Sequence, residues 1–118
     1  IISLFCQKSK SQKEIILFEG MKSVLIARDY GFKNTGAILT SHLNPGQMKI
    51  LARLGVRVVF ALDKDVKIKQ DRNIEILRRY VNVEYIYDFK DLLDEKDSPV
   101  DKGAEVFSKL YETKIKYR

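Results

Sequence analysis

Val56-Arg57-Val58-Val59-Phe60-Ala61-Leu62 runs straight into Asp63-Lys64-Asp65. Apart from Arg57 the run is apolar and rich in β-branched and aromatic side chains. That is the pattern of a strand buried on both faces of a parallel sheet. Upstream, Ile15-Ile16-Leu17-Phe18 runs into Glu19-Gly20 in the same way. Parallel strands end at a common sheet edge, where the sites of α/β proteins are built. Three carboxylates delivered to one edge repel one another unless a cation holds them. Hard divalent cations take oxygen ligands, commonly one or two carboxylates plus substrate phosphates. The two stretches together predict a metal-dependent phosphate-chemistry site.

The segments around these strands alternate. Gly20 marks a turn, and Val24, Leu25, Ala27 and Arg28 fit a helix that ends near Tyr30 with Gly31 as its stop. Thr35 to Thr40 reads as a second strand. Asn44-Pro45 starts a helix, the asparagine as N-cap and the proline at the first helical position. Gly55 ends it. Ile68, Ile74, Ile76, Leu77 and Tyr80 mark a third helix that starts between Val66 and Asp71, and Val83 to Tyr87 a fourth strand. Asp88 to Ser98 is an acidic loop with a helical turn expected at 89–93, and Val100 to Tyr111 reads as the last helix. The order β-α-β-α-β-α-β-α predicts an α/β fold: a four-stranded, largely parallel sheet flanked by helices, Rossmann-like, with right-handed crossovers. Residues 1–13 are expected to be a short strand or linker from a preceding region, and residues 14–118 one domain.

The chain has 118 residues, 45% hydrophobic and 32% charged, with a formal charge of +6. No apolar run approaches the roughly 20 residues of a membrane helix. A lone cysteine, Cys6, and a lone histidine, His42, exclude a Cys/His zinc cluster and a disulfide within the chain. A cytoplasmic, reducing setting is the expectation. The absence of an initiator Met suggests a piece of a longer protein. A basic chain that carries an acidic cluster suits a polyanion bridged by metal ions.

Asp63 and Asp65 are two apart, so in extended chain they share a face and can address one ion. Gly20 lets a ligand approach the backbone after Glu19. Of the later acids, Asp97 and Asp101 bracket Ser98-Pro99-Val100 and are the ones expected to reach the site.

Glu19-Gly20-Met21-Lys22-Ser23, Gly31, the helix start Asn44-Pro45-Gly46-Gln47 and Ala61-Leu62-Asp63-Lys64-Asp65 together resemble the TOPRIM domain. This family occurs in primases, topoisomerases, nucleases and recombination proteins. The likeness is closest to the DNA primase and primase-helicase branch of bacteria and phages, and covers roughly residues 14 to 112. Ser98-Pro99-Val100-Asp101-Lys102-Gly103 resembles that branch's late acidic turn.

The resemblance implies Mg²⁺- or Mn²⁺-dependent nucleotidyl transfer for RNA primer synthesis. It implies a single-stranded DNA template, nucleoside triphosphates and, in the full-length protein, a replicative helicase. It casts Glu19, Asp63 and Asp65 as catalytic and metal-binding, with Asp97 and Asp101 completing the metal site. Gly20, Lys22, Ser23, Lys64 and Lys67 would face nucleotide or phosphate. Ser23 stands where bacterial primases usually carry an Asp, so it adds no charge. The isolated piece is expected to bind metal weakly and to have little or no polymerase activity. The rival readings are a TOPRIM-type nuclease and a degenerate nucleic-acid or phosphate-binding module.

Overall fold

The computed structural model describes residues 14–118. The expectation for residues 1–13, with Cys6, Lys8, Lys10 and Lys13, lies outside the described residues. The elements run β1 (Glu14–Phe18), α1 (Met21–Asp29), β2 (Thr35–Ala37), α2 (Pro45–Leu54), β3 (Arg57–Ala61), a single 3-10 turn (Ile68–Gln70), α3 (Arg72–Leu77), β4 (Val83–Tyr85), α4 (Ala104–Glu112) and β5 (Ile115–Lys116). The strands form one sheet in the order β2-β1-β3-β4-β5. The first three pairings are parallel and the last is antiparallel.

The two apolar stretches that predict the fold, β1 and β3, lie side by side at its centre. Their register pairs Ile16 with Val59 and Phe18 with Ala61. Successive side chains leave a strand on opposite faces, and both faces here are covered. Ile15, Leu17, Val58 and Phe60 pack with Leu51, Ile74 and Leu77 on the α2/α3 side. Ile16, Phe18, Val59 and Ala61 pack with Val24, Ala27 and Phe107 on the α1/α4 side. The Phe107 ring lies 5.8 Å from that of Phe18 and 4.8 Å from that of Phe32. Truncating such a side chain to alanine costs about 3–5 kcal/mol.

Local signals set the helix ends. Asn44 and Gln47 form a reciprocal capping box, with Pro45 in the first turn. Gly55 ends α2 in the left-handed conformation at φ 66°. The Asp71 carboxylate accepts from the N–H groups of Asn73 and Ile74 and starts α3.

Five expectations need correction. Among the described residues the sheet has five strands rather than four. β5 returns antiparallel to β4, where Tyr117 N–H donates to the Val83 carbonyl at 2.9 Å. The second strand stops at Ala37 rather than Thr40, because Leu39 turns out of the sheet at φ 68°. The fourth strand stops at Tyr85 rather than Tyr87. In the acidic loop, no helical turn forms at 89–93. The Asp88 carboxylate instead accepts from the N–H groups of Leu92 and Leu93, both at 2.8 Å, and shapes a loop. Finally, α4 begins at Ala104, not Val100. Val100 is buried in the turn before it, and Gly103 makes the bend at φ 105°.

Candidate functional site

The register that aligns Phe18 with Ala61 brings the next residues of β1 and β3 to one sheet edge. Glu19 follows β1 and Asp63 follows β3 by one further step. Glu19 is held by its backbone: its carbonyl accepts from Leu39 N–H at 2.7 Å. Leu39 is a bulky, exposed residue in a left-handed conformation, with φ 68°. Such backbone stores on the order of 1–3 kcal/mol of strain and concentrates at functional sites.

Asp63 is the electrostatic centre. Its carboxyl is pushed up to about 6, by burial first and then by the charges of Glu19, Asp101 and Asp65. The Glu19 and Asp63 carboxyl groups are also within hydrogen-bonding reach of each other. Yet Glu19 Oε1 is buried and accepts no hydrogen bond from the protein. Two carboxylates facing each other have no donor between them, so the contact calls for a shared proton, a water or a cation. Thus Glu19, Asp63, Asp65 and Asp101 form one electrostatic group.

Among the described residues, no three His, Cys, Asp or Glu side chains are arranged to hold a metal ion as they stand. The donor set still fits a hard cation of the Mg²⁺ type. Its groups are oxygens, one of them orphaned and buried, and such ions keep several waters and bind through one or two carboxylates. Glu19 and Asp63 are the pair that would hold one, with Asp65 and Asp101 adding charge.

Two expected site residues are engaged elsewhere. The Lys64 ammonium donates to Asp91 and to the Leu93 carbonyl, the latter at 2.7 Å, and sits 3.2 Å from Asp88. The Asp91 hydrogen bond leads in raising its pKa, and the charge is committed to the acidic loop. At Asp88, burial opposes ionisation, but bonds from Leu92, Leu93 and Lys64 outweigh it and hold the carboxyl below its usual range. Asp97 likewise accepts from Asp94 N–H at 2.8 Å and lies 3.5 Å from Lys102. Its backbone, not its carboxylate, touches the site strand: Lys64 N–H donates to the Asp97 carbonyl at 2.9 Å.

The first turn of α1 closes the other side. Gly20 is its N-cap, with φ −121°, a value open to any residue, and a Cβ there would meet nothing within 4 Å. The approach at Gly20 is therefore unobstructed. The helix start has no side-chain cap and no acidic residue in its first turn. Its positive end is left to other anions. Lys22 is exposed in that turn, and Lys67 is exposed beyond β3. Ser23 is buried, and its hydroxyl donates to Ser98 Oγ at 2.8 Å.

A cleft of about 900 Å³ opens beside Asp63 and Asp65. Leu62, Val66, Ile68, Tyr85, Tyr87, Leu93 and Pro99 line it, together with Lys67 and Lys69. That volume is in the range of small-molecule sites. Asp63 belongs to both features, because it lines the cleft and faces Glu19 and Asp101.

Sequence reasoning missed Ser98, Asp88 and Leu39. The Ser98-Pro99 break was visible, but the partner of Ser98 lies 75 residues upstream, beyond any local pattern. His42 is exposed and 3.8 Å from the Asp71 carboxylate, away from the acid group.

No family model matches the chain. It is 37% identical over 124 aligned residues to the SPbeta prophage-derived uncharacterized protein YorJ of Bacillus subtilis (strain 168), an alignment that covers 87% of this chain. The chain spans about a third of that relative's length, 33%. No described helix is long and apolar enough to cross a membrane.

Proposed function

We propose that this chain is the TOPRIM-like catalytic domain of a primase-type nucleotidyltransferase, part of a longer protein. One observation carries the reading. Glu19 and Asp63 meet at the ends of the two central strands, with Asp65 and Asp101 adding negative charge and Glu19 Oε1 buried without a donor. Evenly spread surface acids do not create that demand for positive charge.

Glu19 and Asp63 would hold a Mg²⁺ ion there, which would supply Lewis-acid polarisation of a phosphoryl group and offset charge on the leaving pyrophosphate. The chain's own residues do the rest. Asp63 and Asp65 present carboxylate oxygens from the turn after β3, closed by Val66 N–H donating to the Asp63 carbonyl at 3.0 Å, instead of from the extended chain expected from their spacing. Glu19 serves as a further ligand or as the acceptor of the proton from the attacking 3′-hydroxyl. The uncapped start of α1 and the exposed Lys22 receive phosphate oxygens, and Lys67 does so from the cleft side. Lys64 is held by Asp88 and Asp91 and is left out of phosphate contact. Template, triphosphate and helicase contacts extend beyond this domain.

A Mn²⁺ titration of the 118-residue chain, followed by paramagnetic NMR broadening, tests the reading. Broadening centred on Glu19 and Asp63, and lost in Asp63→Ala/Asp65→Ala, supports the site. Broadening scattered over surface acids in both proteins removes it. The second reading is a degenerate phosphate-binding module, and it is favoured by the lack of a ready three-ligand group among the described residues. Template-directed primer synthesis by the longer protein, abolished by Asp63→Asn, separates the two. Hydrolysis of DNA without synthesis would identify a nuclease instead.

A further inference from the structure

Ser23 and Ser98 make a buried hydroxyl pair, 2.8 Å apart, between the first turn of α1 and the turn that ends the acidic loop. Both residues are at most 9% exposed. Ser98 is bonded on its other side as well: its N–H donates to Asp101 Oδ2 at 2.9 Å, and Asp101 N–H donates to the Ser98 carbonyl at 3.0 Å. Asp101 is an exposed residue, so packing alone does not fix its carboxylate. A second tie comes from the far end of the same helix, where the Tyr30 hydroxyl donates to the Val100 carbonyl at 3.0 Å. The turn 98–101 is therefore hung from α1 at two points. One of these, Ser98, also orients the acid.

We infer that Ser98 is a positioning residue for the cation site, tethering the turn to Ser23 and fixing the Asp101 carboxylate that the same turn carries. This rests on the cation-site reading proposed above. It also reassigns Ser23. The serine that stands in place of an acid keeps its hydroxyl for the tether and reaches the site through Ser98 and Asp101.

The experiment measures Mn²⁺ affinity by EPR on the 118-residue chain for wild type, S23A, S98A, S98T, D101N and S98A/D101N. The net value of one hydrogen bond sets the expected loss at about 3- to 10-fold for S23A and S98A. S98T keeps the hydroxyl and is expected within about twofold of wild type. D101N weakens binding by a similar factor, and adding S98A to D101N weakens it no further. Thermal unfolding of each variant separates loss of affinity from loss of fold.

An S98A effect that persists in full in the D101N background overturns the inference, because the serine then acts through another group. Normal wild-type binding with an inert S98A overturns the positioning role alone. Absence of Mn²⁺ binding in the wild type overturns the cation site and the positioning role together. Amide hydrogen exchange at Ser98 needs no metal. It is expected to accelerate about tenfold in S23A, and unchanged exchange overturns the tether itself.

Discussion

Strand β1 carries a glutamate at each end, and the two are treated in opposite ways. Glu14, at the start, is buried but fully answered. Its carboxylate accepts from the Tyr111 hydroxyl at 2.5 Å and from Arg57 at 3.3 Å. Burial and the Glu14 hydrogen bond push the Tyr111 hydroxyl well above its usual range, so it stays a donor. Glu84, nearby, is only an ion pair 3.8 Å from Lys114, and its Oε1 accepts no hydrogen bond. Glu19, immediately after the strand, faces Asp63 instead of a cation, and one of its oxygens has no donor. The opening of the strand is thus organised for folding. Its close sets one carboxyl against another and leaves an oxygen without a donor from the protein. Buried polar atoms left without partners are the exception in folded proteins, and the cation site proposed above is placed at the end of β1 that has one.

The comparison can be broken at either end. The largest effect is expected from Glu14→Ala. It strands the half-buried Tyr111 hydroxyl and leaves the exposed Arg57 without its partner, and should destabilise the fold by about 2 kcal/mol in urea denaturation. Glu19→Gln should be neutral or slightly stabilising, because it removes repulsion instead of a partner. Equal losses at the two positions would erase the distinction.

Asp63→Asn comes next. The folded-state value near 6 lies above the ordinary aspartate value of 3.8, so the folded protein binds more protons between those limits. Stability therefore falls as pH rises from about 4 to about 6, and the penalty stays in full above that. After allowance for solvent screening, Asp63→Asn should raise stability at pH 7.5 by about 1–2 kcal/mol and flatten that slope. A slope that survives the substitution would assign it to other groups.

Adding Mn²⁺ to ten times its dissociation constant should stabilise wild type by about 1.4 kcal/mol and Asp63→Asn by much less. Equal shifts would mean binding elsewhere. The smallest effect is expected at Leu39. Relief of the left-handed conformation should nearly offset the added chain entropy, leaving Leu39→Gly within about 0.5 kcal/mol of wild type. The same change at Leu25, inside α1, should cost about 1 kcal/mol. Thermal unfolding of both variants checks this.

Much of this contrast is legible in the chain alone, for physical reasons that differ by region. The central strands read clearly because burial on both faces makes them continuously apolar. The helix ends at Asn44, Gly31 and Gly55 read clearly because capping is local chemistry. β5 was missed. Ile115 and Tyr117 alternate with Lys114 and Lys116, but two paired residues leave little signal, and only Val83 and Tyr85 across the sheet give them a partner. α4 was started too early because Val100 is apolar enough to belong to a helix, yet it is buried by the turn.

At the site, the acids that end β1 and β3 were legible because strand ends determine where they meet. The commitments of Lys64 and Asp97 were not, since Asp88, Asp91 and Lys102 reach them across the acidic loop. Sequence spacing also says nothing about the hydroxyl pair at Ser23 and Ser98.

The sheet is long in the middle and short at its margins. β1 and β3 have five residues each, whereas the outer strands β2 and β5 have three and two. β2 is wholly buried, and β5 carries an exposed lysine at Lys116. Intermolecular sheet growth needs a long, flat, accessible border with free backbone groups. Neither border offers one. The long apolar runs Ile15 to Phe18 and Val58 to Leu62 are sealed between neighbours and helices. They become available to another chain only if the whole sheet opens.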